Sequence, residues 1–149
     1  MVGRKRSIAA TFIYKPSIYL TMVNRLLQPQ EIEVFYVLPA VRRELAIAMK
    51  AEGKSQKDIA KLLGVTEPAI SQYVSAKRAN ILQLSDTVKS AIKESAKRIT
   101  SELSLMREMQ RLLVLVRQER IVCQVHESLG GAPKGCNVCF DNGLIQIKS

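Results

Sequence analysis

The sequence of 149 residues predicts a mainly α-helical protein. Apolar residues recur at spacings of three and four in several segments, which is the period of one helix face. Serines that suit a helix N-cap precede these segments at Ser55, Ser85 and Ser101. The segment from Ser55 to Arg78 also reads as two short helices joined at a glycine.

This two-helix segment has the features of a helix-turn-helix, which presents its second helix to the DNA major groove. Ser55 is the expected N-cap of a first helix over Gln56 to Leu63. Gly64 follows where a chain leaving a helix often needs a positive φ, and Thr66 can cap the next helix. The spacing therefore predicts a tight corner at residue 64.

The second helix has one apolar and one polar face. Its inward side is expected to hold Ala69, Ile70, Tyr73 and Val74, and its outward side is short and polar. Such side chains can reach base edges or phosphates. The alternative is a helical hairpin in a bundle whose surface happens to be polar.

The segment resembles the lambda-repressor-like (XRE-type) helix-turn-helix regulators, and more closely archaeal regulators with an "SQ…IA..LGVT..AISQY…KR" string. The resemblance covers about residues 30–80 and implies a transcriptional regulator that binds double-stranded DNA. Gln56 would then touch a phosphate, and Gln72 would lie on the recognition helix. Glu67 is acidic and would repel phosphates unless it accepts a hydrogen bond from a cytosine amino group. The implied DNA-binding residues are Ser55, Gln56, Thr66, Glu67, Ser71, Gln72, Lys77 and Arg78.

The region before the corner divides at a proline. Residues 1–29 are an N-terminal arm or extension that could be a strand, an arm along DNA or disordered. We predict a helix from Gln30 to Tyr36, a break at Pro39 and a helix from Ala40 to Glu52.

Residues 84–128 are predicted to form two helices. Over 85–100 the positions Val88, Ile92, Ala96 and Ile99 form one stripe. The opposite row of Lys89, Lys93 and Lys97 suits solvent better than phosphate, although both remain open.

A longer helix is predicted over 102–128, capped by Ser101. Its seam would pack on its own chain or on a second copy, and we favour a homodimer because one helix-turn-helix reads only a few base pairs. The predicted seam comprises Leu105, Met106, Met109, Leu112, Leu113, Val116 and Cys123.

The tail, residues 123–149, holds every cysteine and the only histidine of the chain in the pattern Cys123-x2-His126-x9-Cys136-x2-Cys139. Two pairs of soft ligands joined by a glycine-rich return can close a tetrahedral site. Zinc is the expected metal, and an iron–sulfur cluster in a redox or iron sensor is the alternative. A catalytic cysteine–histidine pair is disfavoured. Asp141-Asn142-Gly143 predicts a turn into a short strand at Leu144–Ile147.

Composition limits the function classes. The net charge is +10 and the pI is about 9.8, which favours a polyanionic partner. No apolar run approaches the ~18 residues of a membrane span, and three cysteines do not suggest a disulfide framework. We expect a cytoplasmic regulator and no enzyme, because no paired carboxylates or phosphate-binding glycine loop occur. An RNA-binding or protein-docking module remains the alternative.

Overall fold

The computed structural model describes residues 27–75 and 82–140. Within these ranges the regular structure is helical. A π-helical turn, Glu33–Val37, joins the first two of the seven α-helices that these ranges contain. The α-helices are α1 (Pro29–Ile32), α2 (Leu38–Ala51), α3 (Gln56–Leu63), α4 (Glu67–Ser75), α5 (Asp86–Arg98), α6 (Glu102–Gln118) and α7 (Ile121–Ser128). Most of the N-terminal arm, Lys77, Arg78 and the strand expected at Leu144–Ile147 lie outside the described residues.

The predicted break at Pro39 is wrong, because the chain stays helical from Pro29 to Ala51. Proline lacks an N–H, and its ring clashes with the carbonyl four residues earlier in a regular α-helix. The helix accommodates Pro39 after a wider turn, in which the Leu38 N–H donates to the Glu33 carbonyl five residues back. A π-turn therefore replaces the expected interruption.

The helix-turn-helix forms a compact unit against α2, which packs on both α3 and α4. Leu45 and Met49 of α2 are fully buried, as are Ile59 of α3 and Ile70 of α4. Each such aliphatic side chain contributes about 1.5–3 kcal/mol by leaving water. An aliphatic core thus holds the two motif helices without aromatic residues at its centre.

Helix α5 packs along α2 and extends the same core. Its stripe is confirmed, since Val88, Ile92, Ala96 and Ile99 are all buried. One continuous hydrophobic cluster runs from Ile32 to Val125. The helices after position 84 therefore share a core with the two motif helices, α3 and α4.

The single helix predicted over 102–128 is wrong. Helix α6 ends at Gln118, and Arg120 adopts the left-handed conformation with φ +57° before α7 begins. An α-helix cannot continue through this conformation, which costs a non-glycine residue about 1–2 kcal/mol. The Arg120 side chain makes several contacts with the tail, which explain why this corner is retained.

The seam of α6 is mostly covered by the chain itself. Met109, Leu112, Leu113 and Val116 are buried. Met106, expected to widen the seam, is instead 64% exposed. The buried residues are thus unavailable to a second copy, and dimer formation itself stays a prediction.

Ionic contacts also connect separate helices of the described part of the chain. The Arg117 guanidinium of α6 donates to both carboxylate oxygens of Glu33 in the π-turn. Glu108, 3% exposed at its side chain, accepts hydrogen bonds from Arg98, Ser95 and Arg111. The Arg98 hydrogen bond holds the pKa of the Glu108 carboxyl below its ordinary value, against the opposing effect of burial.

None of the helices in the described ranges has the length and apolar character required to cross a membrane.

Candidate nucleic-acid interface and cysteine–histidine cluster

The corner between α3 and α4 has the predicted geometry. Gly64 has a φ of +63°, and the Val65 N–H donates to the Ala60 carbonyl at 3.0 Å. A Cβ built on Gly64 would meet no atom within 4 Å. The left-handed backbone, and not a lack of space, is therefore what favours glycine here.

Both predicted caps are confirmed. The Ser55 hydroxyl accepts a hydrogen bond from the Asp58 N–H at 3.1 Å and donates its proton to the Asp58 carboxylate. The Thr66 hydroxyl accepts from the Ala69 N–H at 3.3 Å. These hydroxyls fix the starts of the two helices. The role that the structure shows for Ser55 and Thr66 is therefore helix capping.

Helix α4 turns one face inward and one face to solvent. Ile70 is fully buried, and Tyr73 and Val74 are half-buried beside it. Ser71 and Gln72 are exposed on the opposite side. The second motif helix is thus held by its apolar face, and its polar face remains accessible.

Gln72 is the most available of the predicted base-reading groups. Its amide makes no hydrogen bond within residues 27–75 and 82–140, so both its donor and its acceptor can meet a base edge. Glu67 is exposed at the first position of α4. Gln56 is half-buried at the first position of α3, the helix start that is expected to approach a phosphate.

Two exposed lysines of α3 were missed by the sequence reasoning. Lys57 and Lys61 lie four residues apart, opposite the buried Ile59 and Leu63. Neither ammonium group forms an ion pair with another described residue. Their i, i+4 spacing on the polar side of α3 was the available signal.

The side chains of the three cysteines and of the histidine line one small cavity of about 20 Å³. Helix α7 contributes Cys123 and His126, one turn apart. Cys136 and Cys139 come from two successive turns, closed by the Cys136 N–H on the Pro133 carbonyl at 3.2 Å and the Phe140 N–H on the Asn137 carbonyl at 2.8 Å. The fold therefore gathers both halves of the predicted ligand set.

The chemistry of this cavity suits a metal, although the side chains are not arranged around one point. Among the described residues, no three histidine, cysteine, aspartate or glutamate side chains are placed to hold one ion. His126 Nε2 is buried without a hydrogen-bond partner. Burial raises the pKa of the Cys123 thiol, and the neighbouring Cys139 and Cys136 add to that increase. A cation would satisfy the imidazole nitrogen and stabilise the thiolates.

Arg120 and Glu127 hold the tail against α7. Arg120 Nη2 donates to the Cys136 carbonyl and to Asn137 Oδ1, each at 2.6 Å, and its guanidinium lies 4.7 Å from the Phe140 ring centre. Glu127 Oε1 accepts from the Gly135 N–H at 3.0 Å. The backbone of the second cysteine pair is thus anchored on both sides.

Comparison with known proteins supports the first of these two sites. Residues 45–84 match the model of a family described as helix-turn-helix, HTH_3. Searches of curated proteins and of solved structures found no match. The matched segment includes the end of α2, both motif helices and the Gly64 corner. The matched segment is therefore similar to a helix-turn-helix, which supports a DNA-binding and transcription-regulating function.

Proposed function

We propose that this protein is a sequence-specific transcriptional regulator that binds the major groove of double-stranded DNA with α4. The accessible polar face of α4, held on the buried Ile70, is the observation that carries the proposal. Gln72 would read a base, with adenine as the best partner for its amide. A cytoplasmic location follows from this partner.

Neighbouring groups divide into base-reading and phosphate-binding residues. Ser71 and Glu67 flank Gln72 on the exposed side of α4, where Glu67 would accept from a cytosine amino group. Ser55, Gln56 and Thr66 would approach the backbone at the helix starts. Lys77 and Arg78, which lie outside the described residues, would neutralise phosphates together with Lys57 and Lys61.

We propose further that the protein acts as a homodimer on paired half-sites. One motif helix contacts only a few base pairs, and two copies supply the missing specificity. Exposed apolar side chains remain on the first turns of α6, where Leu103 is 73% and Met106 64% exposed. These side chains are the surface that we assign to a second copy.

The tail adds a metal centre to this proposal. Cys123, His126, Cys136 and Cys139 are the proposed ligands, and zinc is the proposed metal. The alternative is an iron–sulfur cluster that makes the protein a redox or iron sensor, since such clusters also use cysteine and histidine ligands. Inductively coupled plasma analysis and the visible spectrum of anaerobically purified protein separate the two metals.

Changing Gln72 tests base recognition. We expect Gln72→Ala to weaken binding to a selected operator by about 1–3 kcal/mol, which is the usual contribution of one bidentate base contact. Binding to random DNA should be unchanged. The operator would first be isolated by selection from random duplexes, and affinities measured by fluorescence anisotropy at one salt concentration. Gln110→Ala, exposed on α6, is the control.

Two results would contradict the proposal. One is that no duplex is selected over random DNA. The other is that Gln72→Ala lowers operator and random-DNA binding by the same factor. Preferential binding to single-stranded RNA would instead favour the alternative of a nucleic-acid-associated interaction module.

A further inference from the structure

The cavity that gathers the cysteines and the histidine also reaches the DNA-binding unit. Its lining includes Pro29, the first residue of α1. Helix α1 packs on α7, which carries Cys123 and His126. Helix α1 in turn leads without interruption through the π-turn into α2, on which both motif helices pack.

We propose that Cys123, His126, Cys136 and Cys139 close on one zinc ion, and that this ion locks the tail and α7 against the start of the helix supporting the DNA-binding motif. Occupancy of the site then controls the order of α1. This inference rests on the metal centre of the proposed function and adds that the site holds a single ion and what that ion does mechanically.

The contacts that hold the second cysteine pair near α7 favour a single ion, which needs less room between the four donors than a cluster does. A cluster of several iron and sulfur atoms would have to force the two turns away from α7. The contacts of Arg120 with Cys136 and Asn137 oppose such a separation.

Closing the site requires side-chain movement and little change of backbone. The backbone of residues 135–137 is already fixed to α7 by the Arg120 and Glu127 hydrogen bonds. The half-buried thiols of Cys123, Cys136 and Cys139 border the same cavity as the unpartnered His126 Nε2. Rotation of these side chains between staggered positions is the movement that the proposal requires, since among the described residues no three such side chains are placed to hold one ion.

The lock acts on α1 because α1 is the terminal turn of the helix that continues to Ala51. Terminal turns of helices open more readily than their interiors. The buried Ile32 of α1 contributes to the core, and the next residue, Glu33, is tied to Arg117 of α6. Pro29 lines the cavity directly, so a zinc ion that tightens the cavity wall restricts the start of α1, where a capping box between Gln28 and Glu31 is the local support.

The test uses the full-length protein, reduced and stripped of metal by a chelator, then titrated with zinc alone. We expect one zinc per chain, and visible d–d bands of a tetrahedral thiolate site when cobalt replaces zinc. Hydrogen exchange of the amides at 29–33 and 121–140 should slow at least ten-fold on zinc binding, whereas exchange within α5 should change little.

Matched variants locate the effect. Cys139→Ser should lose the cobalt thiolate spectrum and the zinc-dependent protection at 29–33, while Val138→Ser, an exposed neighbour between the two cysteines, should retain both. If Cys139→Ser fails to fold, hydrogen exchange at 29–33 in the metal-free and the zinc-loaded wild-type protein still tests whether zinc orders α1.

Four results would overturn the inference. They are a stoichiometry well below one zinc per chain, iron with sulfide in the purified protein, unchanged exchange at 29–33 on zinc binding, and loss of protection throughout α5 when zinc is removed. None of these measurements uses DNA. A protein that binds zinc as described but selects no duplex therefore disproves the regulator proposal and leaves this inference standing.

Discussion

Gly64 determines the angle at which α4 leaves α3 through one backbone torsion, a φ of +63°. Alanine in this conformation costs about 1–2 kcal/mol, and no neighbouring atom adds a steric cost because nothing lies within 4 Å of the new Cβ. We expect Gly64→Ala to lower the free energy of unfolding by that amount in urea titrations. Gly64→Asn should lose less, since asparagine tolerates the left-handed region. Equal losses for the two variants would contradict the backbone explanation.

Glu108 makes the stability of the α5–α6 pair dependent on pH. Its pKa is held below the ordinary value of 4.5, first by the Arg98 hydrogen bond. A carboxyl whose folded pKa is depressed stabilises the protein above its unfolded pKa, and this contribution is lost as pH falls through the folded pKa. Glu108 therefore stabilises the fold at neutral pH and ceases to do so in acid.

The corresponding variant is Glu108→Gln. We expect it to be less stable than the wild type by about 1–3 kcal/mol at pH 7, and the difference to narrow below pH 4.5. Glu94→Gln removes a surface pair with Lys97 and should have little effect at either pH. Thermal unfolding followed by circular dichroism between pH 3 and 7 measures this, and a pH-independent difference would exclude the carboxylate as its cause.

Individual helix ends were predictable because each depends on a few adjacent residues. Ser55, Thr66 and Ser101 cap their helices as expected. In each case the hydroxyl accepts a hydrogen bond from the backbone N–H three residues later, so the cap depends only on neighbouring residues. Whether Met106 faces the core depends on the orientation of the whole of α6, which residue spacing alone does not determine.

Helices interrupted by tertiary contacts were harder to predict. Pro39 predicted an interruption of the helix, but a π-turn accommodates the proline. Val37 and Val41 on either side of it are fully buried, and their burial stabilises a helix that continues through this position. Arginine at 120 gave no local sign of a corner. Its left-handed backbone is maintained by partners sixteen and seventeen residues later, and such contacts are invisible to a helical periodicity.

Arg120 acts both as the joint between α6 and α7 and as the anchor of the tail. Arg120→Gly should retain the joint and release the tail, since glycine adopts the positive φ without strain. Arg120→Ala should release the tail and also strain the joint, making it less stable than Arg120→Gly by about 1 kcal/mol. Hydrogen exchange at 133–140 should increase equally in both variants, while urea unfolding should distinguish them. Unchanged exchange at 133–140 would refute the anchoring role.

The DNA-binding motif and the helices after it share a core, and this could only partly be foreseen. The stripe of α5 was evident in the sequence, but its partner was not, because an apolar face does not specify which surface covers it. The structure gives that partner as α2, the helix that also supports α3 and α4. The cysteine–histidine pattern indicated the composition of the second site, whereas its closeness to Pro29 depends on the packing of α7 against α1.

A shared core implies that the motif unfolds together with α5. Ile92, 1% exposed on α5, should therefore stabilise α4 although it lies outside the helix-turn-helix. We expect Ile92→Ala to lower the free energy of unfolding by about 2–5 kcal/mol, with helical circular dichroism and tyrosine fluorescence shifting together in urea. Lys93→Ala, its exposed neighbour, should change the free energy by less than about 0.5 kcal/mol. The measurement is made in a background in which Tyr14 and Tyr19 are changed to phenylalanine, so that Tyr36 and Tyr73 report on the π-turn and on α4; the chain has no tryptophan. Two separate transitions, with the tyrosine signal unmoved by Ile92→Ala, would show that the motif folds independently of the helices that follow it.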